Sequence, residues 1–121
     1  MRTKKSDVKK TGTYYEKLAG ALLAERGYVI RQYNFRCPYA EIDIVAEHEG
    51  FLVFCEVKYR SCKKAGSSLE AVDAKKQKRI SRGALFYMQK ERLYHMPCRF
   101  DVVGIDGDQV TVLTDAFPFR Y

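Results

Sequence analysis

Four charged residues interrupt two otherwise apolar stretches. The first reads Glu41-Ile42-Asp43-Ile44-Val45-Ala46 and the second Val53-Phe54-Cys55-Glu56-Val57-Lys58. Side chains on a β-strand alternate between faces with a period of two. As strands, these stretches put Glu41 and Asp43 on one face, with Ile42 and Ile44 on the other. Glu56 and Lys58 likewise share a face, opposite Cys55 and Val57. A buried carboxylate must pair, bind a metal or reach water. Three carboxylates with one lysine leave excess negative charge, which a hard divalent cation would offset. Mg²⁺ takes oxygen ligands, keeps several waters and commonly uses only one or two carboxylates. Asp43 and Glu56 are the candidate direct ligands. The Val57 carbonyl can add a backbone oxygen, Glu41 shares their face as an outer member, and Mn²⁺ is the second choice of metal.

The chemistry this implies is phosphodiester hydrolysis, in which a metal activates water and neutralises charge on the phosphate. Two roles are open to Lys58: orienting or deprotonating the attacking water, or stabilising the pentavalent phosphorane. The plainer alternative is a cross-strand salt-bridge cluster on a solvent face. The apolar run Phe51–Cys55 argues against an exposed strand.

The elements that must position these groups follow from periodicity. Tyr15, Leu18, Ala19, Leu22 and Leu23 recur at helical steps between Thr13 and Arg26, and Gly27 is a good stop. Tyr28 to Asn34 reads as a strand, and Cys37-Pro38-Tyr39 as a turn. Glu41–Ala46 and Phe51–Tyr59 form an expected antiparallel hairpin around Gly50, the latter strand central and covered on both faces. Residues 60–68 read as a polar loop. A long helix is expected from Leu69 to about Arg92, with Val72, Ile80, Ala84, Tyr87 and Met88 facing inward. Strands at Arg99–Ile105 and Val110–Leu113 complete an α/β chain with one sheet flanked by helices.

The chain has 121 residues, 46% of them hydrophobic, which suits one domain with its own core. Residues 1–11 read as a basic, flexible arm and 12–121 as the domain. Lys and Arg number 22 against 15 Asp and Glu, and this excess favours a polyanionic partner. Lys76 falls on the inner stripe of the second helix, where it can reach the carboxylates or a phosphate. Gln77 can bond a phosphate. Arg60, Lys63, Lys64, Lys75 and Arg79 are candidates for tracking a phosphate backbone. His48 and His95 read as surface residues, and most aromatics as core. The four cysteines lack C-x-x-C spacing, and no apolar segment follows the charged N-terminus. A cytoplasmic protein with reduced thiols and no membrane span is expected.

Asp43, a twelve-residue gap and Glu56-Val57-Lys58 resemble the PD-(D/E)xK nuclease superfamily. The wider set is similar to the YraN family of predicted endonuclease-like bacterial proteins. Its blocks are Gly27-Tyr28 with Asn34 and Arg36, the two charged strands, Glu70-Ala71-Val72 leading to Lys76-Gln77, and Arg99-Phe100-Asp101-Val102-Val103. The resemblance spans roughly residues 12 to 117. It departs from the family pattern at Ala40 and Tyr15, where glycines are usual. It implies a restriction-endonuclease-like fold, a central mixed β-sheet of about five strands flanked by helices. It also implies Asp43 and Glu56 as metal ligands, Lys58 as catalytic lysine, Glu16 as a helix glutamate near the site, and a homodimer as one assembly. The expected activity is metal-dependent cleavage of DNA, favoured over RNA as the alternative substrate, with branched or damaged DNA as candidate substrates. The alternatives are a binding module with a vestigial nuclease site and a structural partner in a repair or recombination complex.

Overall fold

Helix α1 spans Lys5–Glu25. It starts well before Thr13, because lysines favour helix and no Gly or Pro interrupts the chain between Lys5 and Thr11. Most of the segment read as an arm is therefore helical backbone. The computed structural model describes residues 5–60 and 72–120, with side chains for 13–59 and 72–120. The expected polar loop with Lys63 and Lys64, and the expected helix start at Leu69, fall on residues outside the described ones.

Five strands follow the first helix: β1 Val29–Arg36, β2 Glu41–His48, β3 Phe51–Arg60, β4 Cys98–Asp106 and β5 Gln109–Leu113. They form one sheet in the order β1-β2-β3-β4-β5. The β3–β4 pair is parallel and the other three are antiparallel, so the sheet is mixed as expected. Parallel neighbours need a long crossover. Helix α2, Ala74–Lys90, lies within that connection. It begins at Ala74 because the Asp73 carboxylate accepts the Lys76 backbone N–H at 2.9 Å and caps the helix there. The β2–β3 hairpin turns on Glu49 and Gly50, both with positive φ (50° and 84°), as a two-residue primed turn requires.

The two helices cover opposite faces. Ala19 and Leu23 of α1 pack on Ile44, Ala46, Val53, Cys55, Val103 and Ile105. Ile80, Ala84, Tyr87 and Met88 of α2 pack on Phe35, Val45, Leu52, Phe54, Phe100 and Val102. β3 is thus covered on both sides, as its apolar sequence predicts. This is an α/β fold consistent with the restriction-endonuclease-like architecture. No described helix is long and apolar enough to cross a membrane. Cys37, Cys55 and Cys98 are free thiols.

One expectation about β2 fails informatively. Ile42 packs in the α2-side core, whereas Ile44, two residues on, packs in the α1-side core. The β2–β3 ladder ends at Ile44 and Cys55, while β1 stays paired to β2 as far as Glu41 but carries Asn34, with a positive φ, between the partners of Ile44 and Ile42. The irregularity falls at Asp43, where the two strands part.

Candidate functional site

At the parting of β2 and β3 the Asp43 side chain replaces the missing ladder. Its Oδ2 accepts the Val57 N–H at 2.8 Å. That contact fixes the carboxylate against the next strand, one residue from Glu56. Glu56 is only 6% exposed although it is an acid. Its Oε1 meets the Lys76 Nζ of α2 at 3.0 Å. Its Oε2 is buried and has no hydrogen-bond partner among the described residues. Both acids line a cavity of about 620 Å³, with Glu41, Val57, Lys58, Lys75, Lys76 and Arg79 also in its wall.

The electrostatics follow from this crowding. Burial first, and then the Asp43 charge, push the Glu56 carboxyl up to about 7, against the pull of Lys76. Burial pushes Asp43 up to about 6, the Val57 N–H works the other way, and the Glu16 charge adds to the rise. Glu16 reaches the same place from α1. It accepts Asn34 Nδ2 at 2.8 Å, and its charge is felt by Asp43. Burial also raises the Glu16 carboxyl. Asn34 can serve here because it holds a positive φ of 53°, which asparagine tolerates better than most residues. The Tyr15 ring stacks on Tyr59 at 4.0 Å and ties α1 to the end of β3 beside Lys58.

The two lysines are unequal. Lys58 and Lys76 both line the cavity and their pKa values move in opposite directions. Burial, and then Lys76, hold Lys58 below the ordinary lysine value. Burial opposes the charge on Lys76, but Lys58 and Glu56 outweigh it and raise the pKa. Of the two, Lys58 gives up its proton more readily.

The donor set fits a hard divalent cation. It offers two adjacent carboxylates, one oxygen of which lacks a partner, in a polar cavity open to substrate. No group of three or more His, Cys, Asp or Glu side chains converges to hold a metal among the described residues. A site needing one or two carboxylates, waters and substrate oxygens does not require such a cage.

Other expected members are engaged differently. Glu41, in the cavity wall, is exposed and pairs with Arg36 Nε at 3.1 Å, the residue opposite it in the β1–β2 pairing. Gln77 turns away from the cavity: its Nε2 donates to the Val72 carbonyl at 3.1 Å, and its Oε1 accepts from Arg120 Nε. His48 is no simple surface residue. It stacks on Tyr28 at 3.9 Å and lies 2.9 Å from Arg99 Nη2. Arg60 supplies described backbone in β3 but no described side chain. Sequence reasoning missed Tyr39, which lines the cavity and is 48% exposed. The signal was its place at the Pro38 turn just before Glu41, where a ring cannot reach the core.

The family model described as "Uncharacterised protein family UPF0102" matches residues 15–105. A UPF0102 protein of Syntrophus aciditrophicus (strain SB) is 42% identical over 93% of this chain and 91% of its own length. One from Shewanella sp. (strain W3-18-1) is 44% identical over 88% of this chain and 97% of its own. One from Hahella chejuensis (strain KCTC 2396) is 46% identical over 76% of this chain and 74% of its own.

Proposed function

The chain belongs to the uncharacterised family UPF0102, the YraN family, and on the chemistry of its site we propose that it is a metal-dependent endonuclease acting on DNA. One observation carries this reading: Glu56, beside Asp43, is buried in a polar cavity with one carboxylate oxygen unmatched among the described residues. A protein gains nothing in stability from that arrangement, since an unsatisfied buried acceptor costs about 1–3 kcal/mol. The arrangement makes sense when a cation completes it.

Asp43, Glu56 and the Val57 carbonyl would hold Mg²⁺, or Mn²⁺. The ion would neutralise charge developing on the phosphoryl oxygens and activate the attacking water. Asp43 keeps its orientation through the Val57 N–H. Lys58, whose proton is held less tightly than an ordinary lysine's, would serve as general base toward the attacking water. Lys76 holds Glu56 in place and presents positive charge to the phosphate. Glu16 positions Asp43 from the α1 side. Lys75 and Arg79, in the cavity wall, attract the flanking phosphates. The net charge of +7 suits a polyanionic substrate.

The test is a cleavage panel of linear, nicked, flapped and four-way DNA with Mg²⁺ and Mn²⁺. Wild-type protein is expected to cut at least one of these, and Asp43→Ala and Glu56→Ala to cut none. Cleavage that survives both substitutions would sink the assignment. Salt-sensitive binding untouched by chelator, with no cleavage, would instead favour a non-catalytic binding module.

A further inference from the structure

We propose that the surface leading from the carboxylate cavity across Tyr39 to Arg82 and Phe86 binds an unpaired nucleotide of the DNA substrate. The inference rests on reading the cavity as the cleavage site. A second cavity of about 470 Å³ adjoins the first. It is lined by Tyr39, Arg82, Leu85, Phe86 and Gln89. Among the described residues, Tyr39 is the one that lines both of these cavities. The groove therefore continues from the carboxylates along the outer side of α2, with an aromatic ring at the junction.

That ring is exposed yet held. Its edge-to-face contact with Phe86 has centroids 6.2 Å apart at 64°, and Phe86 in turn meets the buried Phe35 at 6.2 Å. The turn that carries it is closed by the Cys37 N–H donating to the Ala40 carbonyl at 3.1 Å. Gly83 lets α2 approach this turn closely, since a Cβ there would stand 3.3 Å from Ala40 Cβ and from Ile42 Cδ1. An exposed apolar ring fixed in this way offers a stacking face at little cost in entropy.

Charge complementarity identifies the occupant. Lys75 and Arg79 line the first cavity and Arg82 the second. Steps of four and three residues put them on one face of α2, spread over roughly 10 Å of the helix axis. A row of cations beside an aromatic platform is the recognition chemistry of a single strand, phosphates on the cations and a base on the ring. Paired bases in a duplex present no free face, so the base on Tyr39 must leave its stack. Flapped and branched DNA supply such a nucleotide next to a duplex, whereas intact linear duplex does not.

The experiment is fluorescence anisotropy in EDTA, with a short labelled single strand of DNA and its blunt duplex. Wild-type protein is expected to bind the single strand more tightly. Tyr39→Ala should weaken single-strand binding about 5- to 100-fold and leave duplex binding nearly unchanged, while Tyr39→Phe restores it. Equal single-strand affinity in wild type and Tyr39→Ala, or the same loss on duplex, would overturn the proposal. The two readings fail separately. Tyr39-dependent binding without cleavage in the metal panel would remove the nuclease and keep the groove. Cleavage together with Tyr39-independent binding would remove the groove alone.

Discussion

Asp101 on β4 and Glu56 on β3 are buried carboxylates on adjacent central strands, and their surroundings differ. Asp101 is fully buried and accepts four hydrogen bonds: from Tyr28 Oη at 2.6 Å, Arg99 Nε at 2.9 Å, Arg99 Nη2 at 2.8 Å and the Asp115 N–H at 3.0 Å. Burial and the bond to Asp101 push the Tyr28 hydroxyl up to about 12, which keeps it a donor. Among the described residues, Glu56 has Lys76 on one oxygen and no partner on the other. The first cluster is closed and ties β4 to the chain around Tyr28 and to the segment after β5. The second is open. A buried charge that is fully hydrogen-bonded belongs to the architecture, whereas one left half-matched in a cavity is available for a ligand.

Breaking each cluster should therefore have opposite consequences. Asp101→Ala leaves the Arg99 guanidinium buried without its partner. We expect it to lower stability by about 3–5 kcal/mol, measured by urea denaturation. A loss below 1 kcal/mol would erase the contrast.

The open cluster should make the metal-free protein sensitive to pH. Asp43 and Glu56 have folded pKa values near 6 and 7, above their ordinary values of 3.8 and 4.5. The folded state thus binds protons more tightly than the unfolded state. The stability this contributes is complete below about pH 4 and is lost as pH rises through 6 to 7. From these groups we expect a fall of about 1–3 kcal/mol between pH 5 and pH 8 in EDTA. Mg²⁺ should restore stability at pH 8 and do little at pH 5, which thermal melts with and without the metal would show.

A neutral isostere isolates Glu56. At pH 8, Glu56→Gln should stabilise the metal-free protein by about 1 kcal/mol, because it removes a charge that burial disfavours. At pH 5, where Glu56 already carries a proton, the difference should vanish. Destabilisation at pH 8 would mean that the Lys76 pair outweighs desolvation. The smallest expected effect is at the cavity wall: Lys75→Ala should leave stability within about 0.5 kcal/mol and reduce the salt slope of DNA binding by about one.

Much of this was legible in the chain. The apolar run Phe51–Cys55 marked a central strand, and the charges at Asp43, Glu56 and Lys58 stood out because they broke apolar strands at the spacing of a shared face. Lys76 was found because a lysine on the inner stripe of a helix needs a partner, and Glu56 is that partner. The rest depended on tertiary geometry. Strand period alone could not reveal that β2 pairs with β3 only from Ile44 onward, so Ile42 and Ile44 were given one face and lie on two. Gln77 sits next to Lys76 but about 100° round the helix, which turns it toward Val72 and Arg120. His48 and Tyr28 are distant from Arg99 in sequence, and only the fold brings both to it. The Asp73 cap was present in the sequence, but the apolar residues before it extended the apparent helix.

The most direct measurement pairs stability with activity in a single variant. Glu56→Gln and wild type should be melted at pH 8 in EDTA and then assayed with Mn²⁺ on flapped and four-way DNA. A protein at least as stable as wild type that has lost cleavage by about 100-fold or more would establish Glu56 as a functional acid rather than a structural one. Cleavage by Glu56→Gln at the wild-type rate would contradict the assignment.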